Sequence, residues 1–199
     1  MIALPNYADI NGRPMKKLQI QQYLRKLQLN DFEPAVNLAT LTKLQDAHLK
    51  YIPYENFDCL NGKITSLKRQ DMFNKVIMHN RGGICFELNG LYNWLLESLG
   101  FDVTSYSARF IDKMETYQLR RHRVMCVVLG EKRYLTDVGV NSESPRVPLE
   151  ITEGLIQSDG ISQYKFTRSE FWGWLLWQKE RGKIWKRLFG FTEEPQIDK

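Results

Sequence analysis

Cysteine is scarce in this chain. Its 199 residues hold three, Cys59, Cys85 and Cys126, with no Cys-x-x-Cys pair, so they build no disulfide framework and any pairing leaves one thiol over. A reducing, cytoplasmic setting is the expectation. Histidine is as sparse. His48, His79 and His122 stand at no recognisable ligand spacing with one another or with the cysteines, so no metal is expected. Long apolar runs are missing as well. The longest clean one, Val124 to Leu129, is far too short to span a bilayer, and Met1 to Pro14 lacks a basic stretch followed by an apolar one. No membrane partner is expected. Repeats and low-complexity linkers are absent too.

What is present suffices for a globular core: 43% of residues are hydrophobic and 26% charged, enough for one domain or two closely packed lobes. Twenty-eight Lys and Arg against 23 Asp and Glu leave a net charge of +5, which favours anionic partners without naming one. Basic residues interleave with acidic ones and no recognition motif appears, so nucleic acid is not expected.

Apolar spacing near 3.6 predicts helices over Leu18 to Leu29, Asn37 to Tyr51, Asp71 to His79 and Cys85 to Leu99. Pro53 ends the second by removing an N–H and crowding the preceding turn, and Gly100 stops the fourth. Ile52 to Phe57 is then a non-helical connector. After Gly100 the period changes to two, with β-rich runs at 122–129 and 133–138 joined by a tight turn at Gly130-Glu131. A loop follows from Asn141 to Pro148. The expected fold is α+β, a helical lobe over residues 1–100 followed by a β lobe over 101–199. Residues 171–191 admit two readings, a basic aromatic helix or a hairpin turning at Arg181-Gly182-Lys183. The hairpin is preferred, because Gly inside a helix costs about 1 kcal/mol and aromatic density suits strands.

The stretch Arg81-Gly82-Gly83-Ile84-Cys85-Phe86-Glu87-Leu88-Asn89 lets the backbone turn sharply into a helix and sets Cys85 at that helix's N-terminus, where the dipole favours a thiolate. Cys85 is then either a nucleophile or a small buried residue in a helix cap. A turn at Gly130-Glu131 puts Val124 opposite Asp137 and His122 opposite Gly139, so His122 and Asp137 share a face as diagonal neighbours. A carboxylate so placed orients an imidazole, which can present its other nitrogen to a cysteine.

With these residues in view, the sequence resembles the arylamine N-acetyltransferase family. Arg81 to Asn89 is similar to the family's cysteine motif, and Ala47-His48 with Ile52-Pro53-Tyr54-Glu55-Asn56 to its histidine and proline-aromatic-Glu-Asn signature. His122 and Tyr134-Leu135-Thr136-Asp137-Val138-Gly139 match its histidine and aspartate positions. The resemblance implies a cysteine-protease-like arrangement in which an antiparallel β-barrel-like lobe brings His122 and Asp137 to Cys85. It implies acetyl-coenzyme A as co-substrate, a thioester on the cysteine, and ping-pong transfer to a small aromatic amine, hydrazine or N-hydroxyarylamine. Tyr54, Val140 and Phe191 fall where the family lines its acceptor pocket, and Gly139, Val140, Asn141 and Ser142 where a small-residue loop approaches the coenzyme A pyrophosphate.

That loop departs from the family's Val-Gly-Phe-Gly: here Val140 and Asn141 replace the aromatic and the second glycine, and Glu143 adds a negative charge. The rival expectation is therefore a catalytically silent or coenzyme A-impaired relative that binds or assembles. Family members ordinarily continue into a C-terminal α/β segment beyond the point where this chain stops. Without that cover, a second subunit is expected over the aromatic 171–191 region. Sedimentation at micromolar concentration is expected to show a homodimer, and a monomer counts against it.

Overall fold

A computed structural model describes residues 12–111, 119–140 and 143–195. Among the described residues five α-helices come first: α1 (Lys17–Lys26), α2 (Leu38–Tyr51), α3 (Phe57–Leu60), α4 (Arg69–Phe73) and α5 (Cys85–Ser98). Helix α1 ends short of the expected Leu29, because the chain reverses at Gln28, whose φ is 58°. The Asn37 side chain caps α2, accepting from the Thr40 N–H at 2.9 Å, and α2 ends before Pro53. The helix expected over Asp71 to His79 is present, but Asn74–Met78 is wound as a π-helix that continues α4.

Strands fill the rest: β1 (Asp102–Phe110), β2 (His122–Leu129), β3 (Lys132–Thr136), β4 (Leu149–Glu150), β5 (Gln157–Ser158), β6 (Ser162–Ser169), β7 (Gly173–Glu180) and β8 (Lys186–Pro195). They form one eight-stranded sheet in the order β4-β3-β2-β1-β8-β7-β6-β5, every pair antiparallel. Its two edges are joined by a side chain in place of a ladder. Gln157 of β5 accepts from the Glu150 N–H at 2.7 Å and donates to the Glu150 carbonyl at 2.9 Å, nearly closing the sheet into a barrel and covering edges that would otherwise pair with other chains. Residues 171–191 adopt the hairpin: β7 and β8 flank a turn in which Gly182 takes φ 75°. The helical alternative is excluded.

Two apolar cores explain why Val124 to Leu129 shows no alternation. Val103, Met125, Val127 and Tyr134 face the helices and pack with Leu44, Leu88, Leu91 and Tyr92. Val124, Cys126 and Leu135 point the other way, into the barrel, among Phe166, Leu176 and Phe189. Strand β2 is covered on both sides from His122 to Val127, and the apolar run over that stretch has no break, while Val128 at its end is exposed. No helix among the described residues is long and apolar enough to cross a membrane.

His48 belongs to the first of these cores. Its ring is fully buried, with centroids 6.1 Å from Tyr23 and 5.4 Å from Tyr92, and neither nitrogen has a hydrogen-bond partner among the described residues. Burial pushes its pKa down from 6.5 to about 3. The unfolded chain therefore binds a proton that the folded chain refuses. Stability from this group is complete above pH 6.5 and is lost as pH falls toward 3. Urea unfolding at pH 7 and pH 5 is expected to show wild type losing about 2 kcal/mol more than His48→Phe over that interval. Equal losses would assign the pH sensitivity to other groups.

Candidate active site

The connector after α2 lies directly beside the chain entering α5. Tyr54 pairs with Gly83 in a parallel bridge, and the Glu55 N–H donates to the Gly83 carbonyl at 3.0 Å. A Cβ on Gly82 would stand 1.9 Å from the Pro53 carbonyl oxygen, and one on Gly83 would stand 2.9 Å from Glu87 Oε2. Neither glycine has positive φ, so close approach, not the expected freedom to turn, is what demands them. Arg81 locks the junction, donating to Glu55 Oε1 from Nε at 3.0 Å and Nη2 at 2.8 Å. Glu87 accepts from the Ile84 N–H at 2.9 Å, half of a capping box, and its buried charge is met by Lys75 Nζ at 2.8 Å. Cys85 thereby opens α5 in a fixed position.

His122 and Asp137 arrive from the β2–β3 hairpin. The ladder pairs Met125 with Thr136 and Leu129 with Lys132, the register that a turn at Gly130-Glu131 requires. His122 Nε2 donates to Asp137 Oδ2 at 2.7 Å, both side chains being wholly buried. Asp137 Oδ1 accepts from the Gly139 N–H and from Asn89 Nδ2, each at 2.8 Å. Asn89 also donates to the Arg123 carbonyl at 2.5 Å and accepts from the Val138 N–H at 2.9 Å. One turn past Cys85 on the same helical face, it ties α5 to both strands.

The imidazole lies between Phe110 and Phe189, with ring centroids at 5.0 and 5.2 Å. Burial works against its charge, but the Asp137 carboxylate and the nearby Cys85 thiol outweigh it, and His122 is pushed up from 6.5 to about 9. Nδ1 has no hydrogen-bond partner among the described residues, which leaves it the nitrogen for Cys85. The Cys85 sulfur lies 3.6 Å from the carbonyl oxygen of Arg121, the neighbour of His122.

A cleft of about 580 Å³ opens onto Cys85, lined also by Tyr54, Phe110, Arg121, Gly139, Val140 and Glu143. Of the expected binding residues, Tyr54, Gly139 and Val140 face it. A Cβ on Gly139 would stand 2.8 Å from the Cys85 Cα, so glycine here lets the loop reach the nucleophile. Phe191 is placed otherwise: β8 turns it into the barrel, where it is fully buried and stacks on Tyr106 at 5.7 Å between centroids. It does not line the cleft. Asn141 and Ser142 lie outside the described residues. Glu143 does not stand bare at the mouth, because Lys186 Nζ pairs with it. Ser144 Oγ accepts from the Val140 N–H at 2.8 Å, and Gln45 donates to the Pro145 carbonyl at 2.6 Å, which hold the loop. Sequence reasoning missed Phe110, Arg121 and the role of Asn89. Only Asn89 left a signal, its four-residue spacing from Cys85. Among the described residues no group of three or more His, Cys, Asp or Glu could hold a metal ion.

A family model described as N-acetyltransferase matches residues 37–199. Arylamine N-acetyltransferase of Mycolicibacterium smegmatis is 34% identical over 180 residues, covering 87% of this chain and 64% of that protein. The solved arylamine N-acetyltransferase of Salmonella typhimurium superposes with a TM-score of 0.85 at 26% identity, over 92% of this chain and 65% of that one. The Mycobacterium marinum arylamine N-acetyltransferase, solved in complex with CoA, gives 0.80 at 27% identity, over 89% and 66%. The chain thus spans slightly less than two thirds of the length of these relatives.

Asn89→Ala would strip partners from Asp137, Val138 and Arg123 at once, leaving buried polar groups unpaired. Urea unfolding is expected to show a loss of about 2–4 kcal/mol, and iodoacetamide to alkylate Cys85 more slowly in the folded variant. Wild-type values for both would deny Asn89 its clamping role.

Proposed function

The chain belongs to the arylamine N-acetyltransferase family, and on that premise we propose that it moves an acetyl group from acetyl-coenzyme A to a small aromatic amine, hydrazine or N-hydroxyarylamine through a thioester on Cys85. The observation that carries this reading is the buried His122–Asp137 pair at 2.7 Å, with Nδ1 left for the Cys85 sulfur. A histidine pushed up to about 9 takes the thiol proton readily at neutral pH, and Asp137 holds the ring in place and stabilises the imidazolium.

The steps follow from these positions. The Cys85 thiolate attacks the thioester carbonyl of the donor, and the negative charge on that oxygen is met by the Cys85 N–H, which lies in the first helical turn and lacks an intrahelical acceptor. Coenzyme A leaves as its thiol, taking the proton from His122. The acceptor amine then enters among Tyr54, Phe110 and Val140, attacks the acetyl-cysteine, and gives its proton back to His122 as the Cys85 sulfur departs. Splitting one acyl transfer into two lets a single cleft serve both partners.

Intact-mass measurement after incubation with acetyl-coenzyme A is expected to show one acetyl adduct, absent in Cys85→Ala and discharged by an arylamine. No adduct over a range of acyl donors would sink the acyltransferase reading and favour a silent binding relative. Hydrolysis of activated esters with no transfer to amine would point instead to a cysteine hydrolase.

A further inference from the structure

Away from the Cys85 cleft, a second hollow of about 410 Å³ opens on the helical lobe, and the two share no lining residue. Its floor is apolar, made by the buried Ile77 and the exposed Met78. Both belong to the π-wound stretch Asn74–Met78, a geometry that is rare and frequent at functional sites. Tyr51, the last residue of α2, stands at the same hollow with 45% of its surface exposed. An apolar floor with an aromatic wall, in a hollow within the range of roughly 300–1,000 Å³, is the usual make-up of a small-molecule site.

The polar part of the wall carries one sign of charge. Arg25 and Lys26 line it from the last turn of α1, and no acid lines it. Among the described residues no carboxylate pairs with either cation, Asp31 included, although it borders Arg25 in an adjoining depression. Lys26 Nζ donates instead to the Asn80 carboxamide oxygen at 3.0 Å. The negative end of the α1 dipole favours two cations there, but it does not account for the carboxamides. Gln22, Gln28 and Asn80 line the same hollow. Gln28 and Asn80 are also the two described non-glycine residues with positive φ, 58° and 54°. Each follows the end of a helix, where glycine is the usual occupant and glutamine is strained. The backbone at Gln28 favours glycine, yet the chain places a carboxamide there, beside the cations.

We infer that this hollow is a second binding site, for a small heteroaromatic anion: a ring with polar edges that bears a phosphate or a carboxylate. Arg25 and Lys26 take the anionic group by charge-assisted hydrogen bonds. Tyr51 and Met78 pack against the ring, and the carboxamides of Gln22, Gln28 and Asn80, each both donor and acceptor, pair with its edges. A lining with two cations and no acid turns away cationic ligands. Tyr51 and Asn80 each stand three residues ahead of the bridged pair Tyr54 and Gly83, so the site lies behind the junction that seats Cys85. It does not depend on what Cys85 does.

The test is isothermal titration of the full chain at low salt with adenosine 5′-monophosphate and with orotate, a purine phosphate and a pyrimidine carboxylate. Adenosine and inorganic phosphate serve as the ring and the charge alone. At least one of the two anions is expected to bind about tenfold or more tighter than adenosine or phosphate, and the tighter of the two assigns the anionic group. Arg25→Gln/Lys26→Gln is expected to weaken that binding about tenfold or more. Gln28→Gly keeps the fold, since glycine suits φ 58°, and is expected to weaken binding too, which a merely structural glutamine would not do. Arg121→Gln, which removes a cation from the Cys85 cleft, is expected to leave binding unchanged. Binding of neither anion overturns the inference, as does inorganic phosphate binding as tightly as either. Binding that survives in the Arg25/Lys26 or the Gln28 variant also overturns it, and so does loss in Arg121→Gln, which places the ligand in the cleft.

Discussion

The five hydrogen bonds of the Asn89 carboxamide and the Asp137 carboxylate join the helical and β parts of this protein at the point where its chemistry is assembled. Asn89 reaches Asp137, the Arg123 carbonyl and the Val138 N–H from the helix that begins with Cys85, and Asp137 holds His122. Buried polar groups are costly unless paired, so the helix and the hairpin can pack only in the arrangement that satisfies all of them. The distance between nucleophile and imidazole is thereby set by a structural constraint and not by loops. Gly139 belongs to the same constraint, because any side chain there would collide with Cys85.

Two fully buried histidines show how neighbours decide what burial does. His48, among Tyr23 and Tyr92 with no acid at hand, is pushed down to about 3. His122, equally buried, is pushed up to about 9 because a carboxylate touches its ring and a thiol lies near. Desolvation opposes the charge in both, and only at His122 is it overcome. His48 is packing, although it stands in a motif that the family resemblance singles out, and His122 is poised to hold a proton. The same accounting applies at the cleft rim, where Glu143 draws Lys186 toward the mouth.

Much of the fold was legible because the relevant forces are local. Asn37 and Pro53 bound α2, Gly130 and Gly182 mark their turns, and period two after Gly100 announces the sheet. The register of the β2–β3 hairpin followed from its turn alone, and with it the pairing of His122 with Asp137. Other features were hidden for physical reasons. The π-wound turn at Asn74–Met78 keeps the residue spacing of an ordinary helix. Whether Phe191 faces the barrel or the cleft depends on which side of β8 the sheet curls toward. Gly82 and Gly83 read as turn formers, and only the packing of Pro53 and Glu87 against them reveals that they are there to leave room.

The sequence by itself determined the helix-then-strand order, the cysteine at a helix start and the face shared by His122 and Asp137, because capping, turn chemistry and side-chain alternation act over a few residues. The tertiary structure alone decided that Asn89 clamps the two halves, that Gln157 joins the sheet edges, that Phe191 is core, and that Lys186, some hundred residues from Cys85 in the chain, stands at the rim of its cleft. Those outcomes depend on contacts between segments remote in sequence, and no local pattern of residues encodes which remote surfaces will meet.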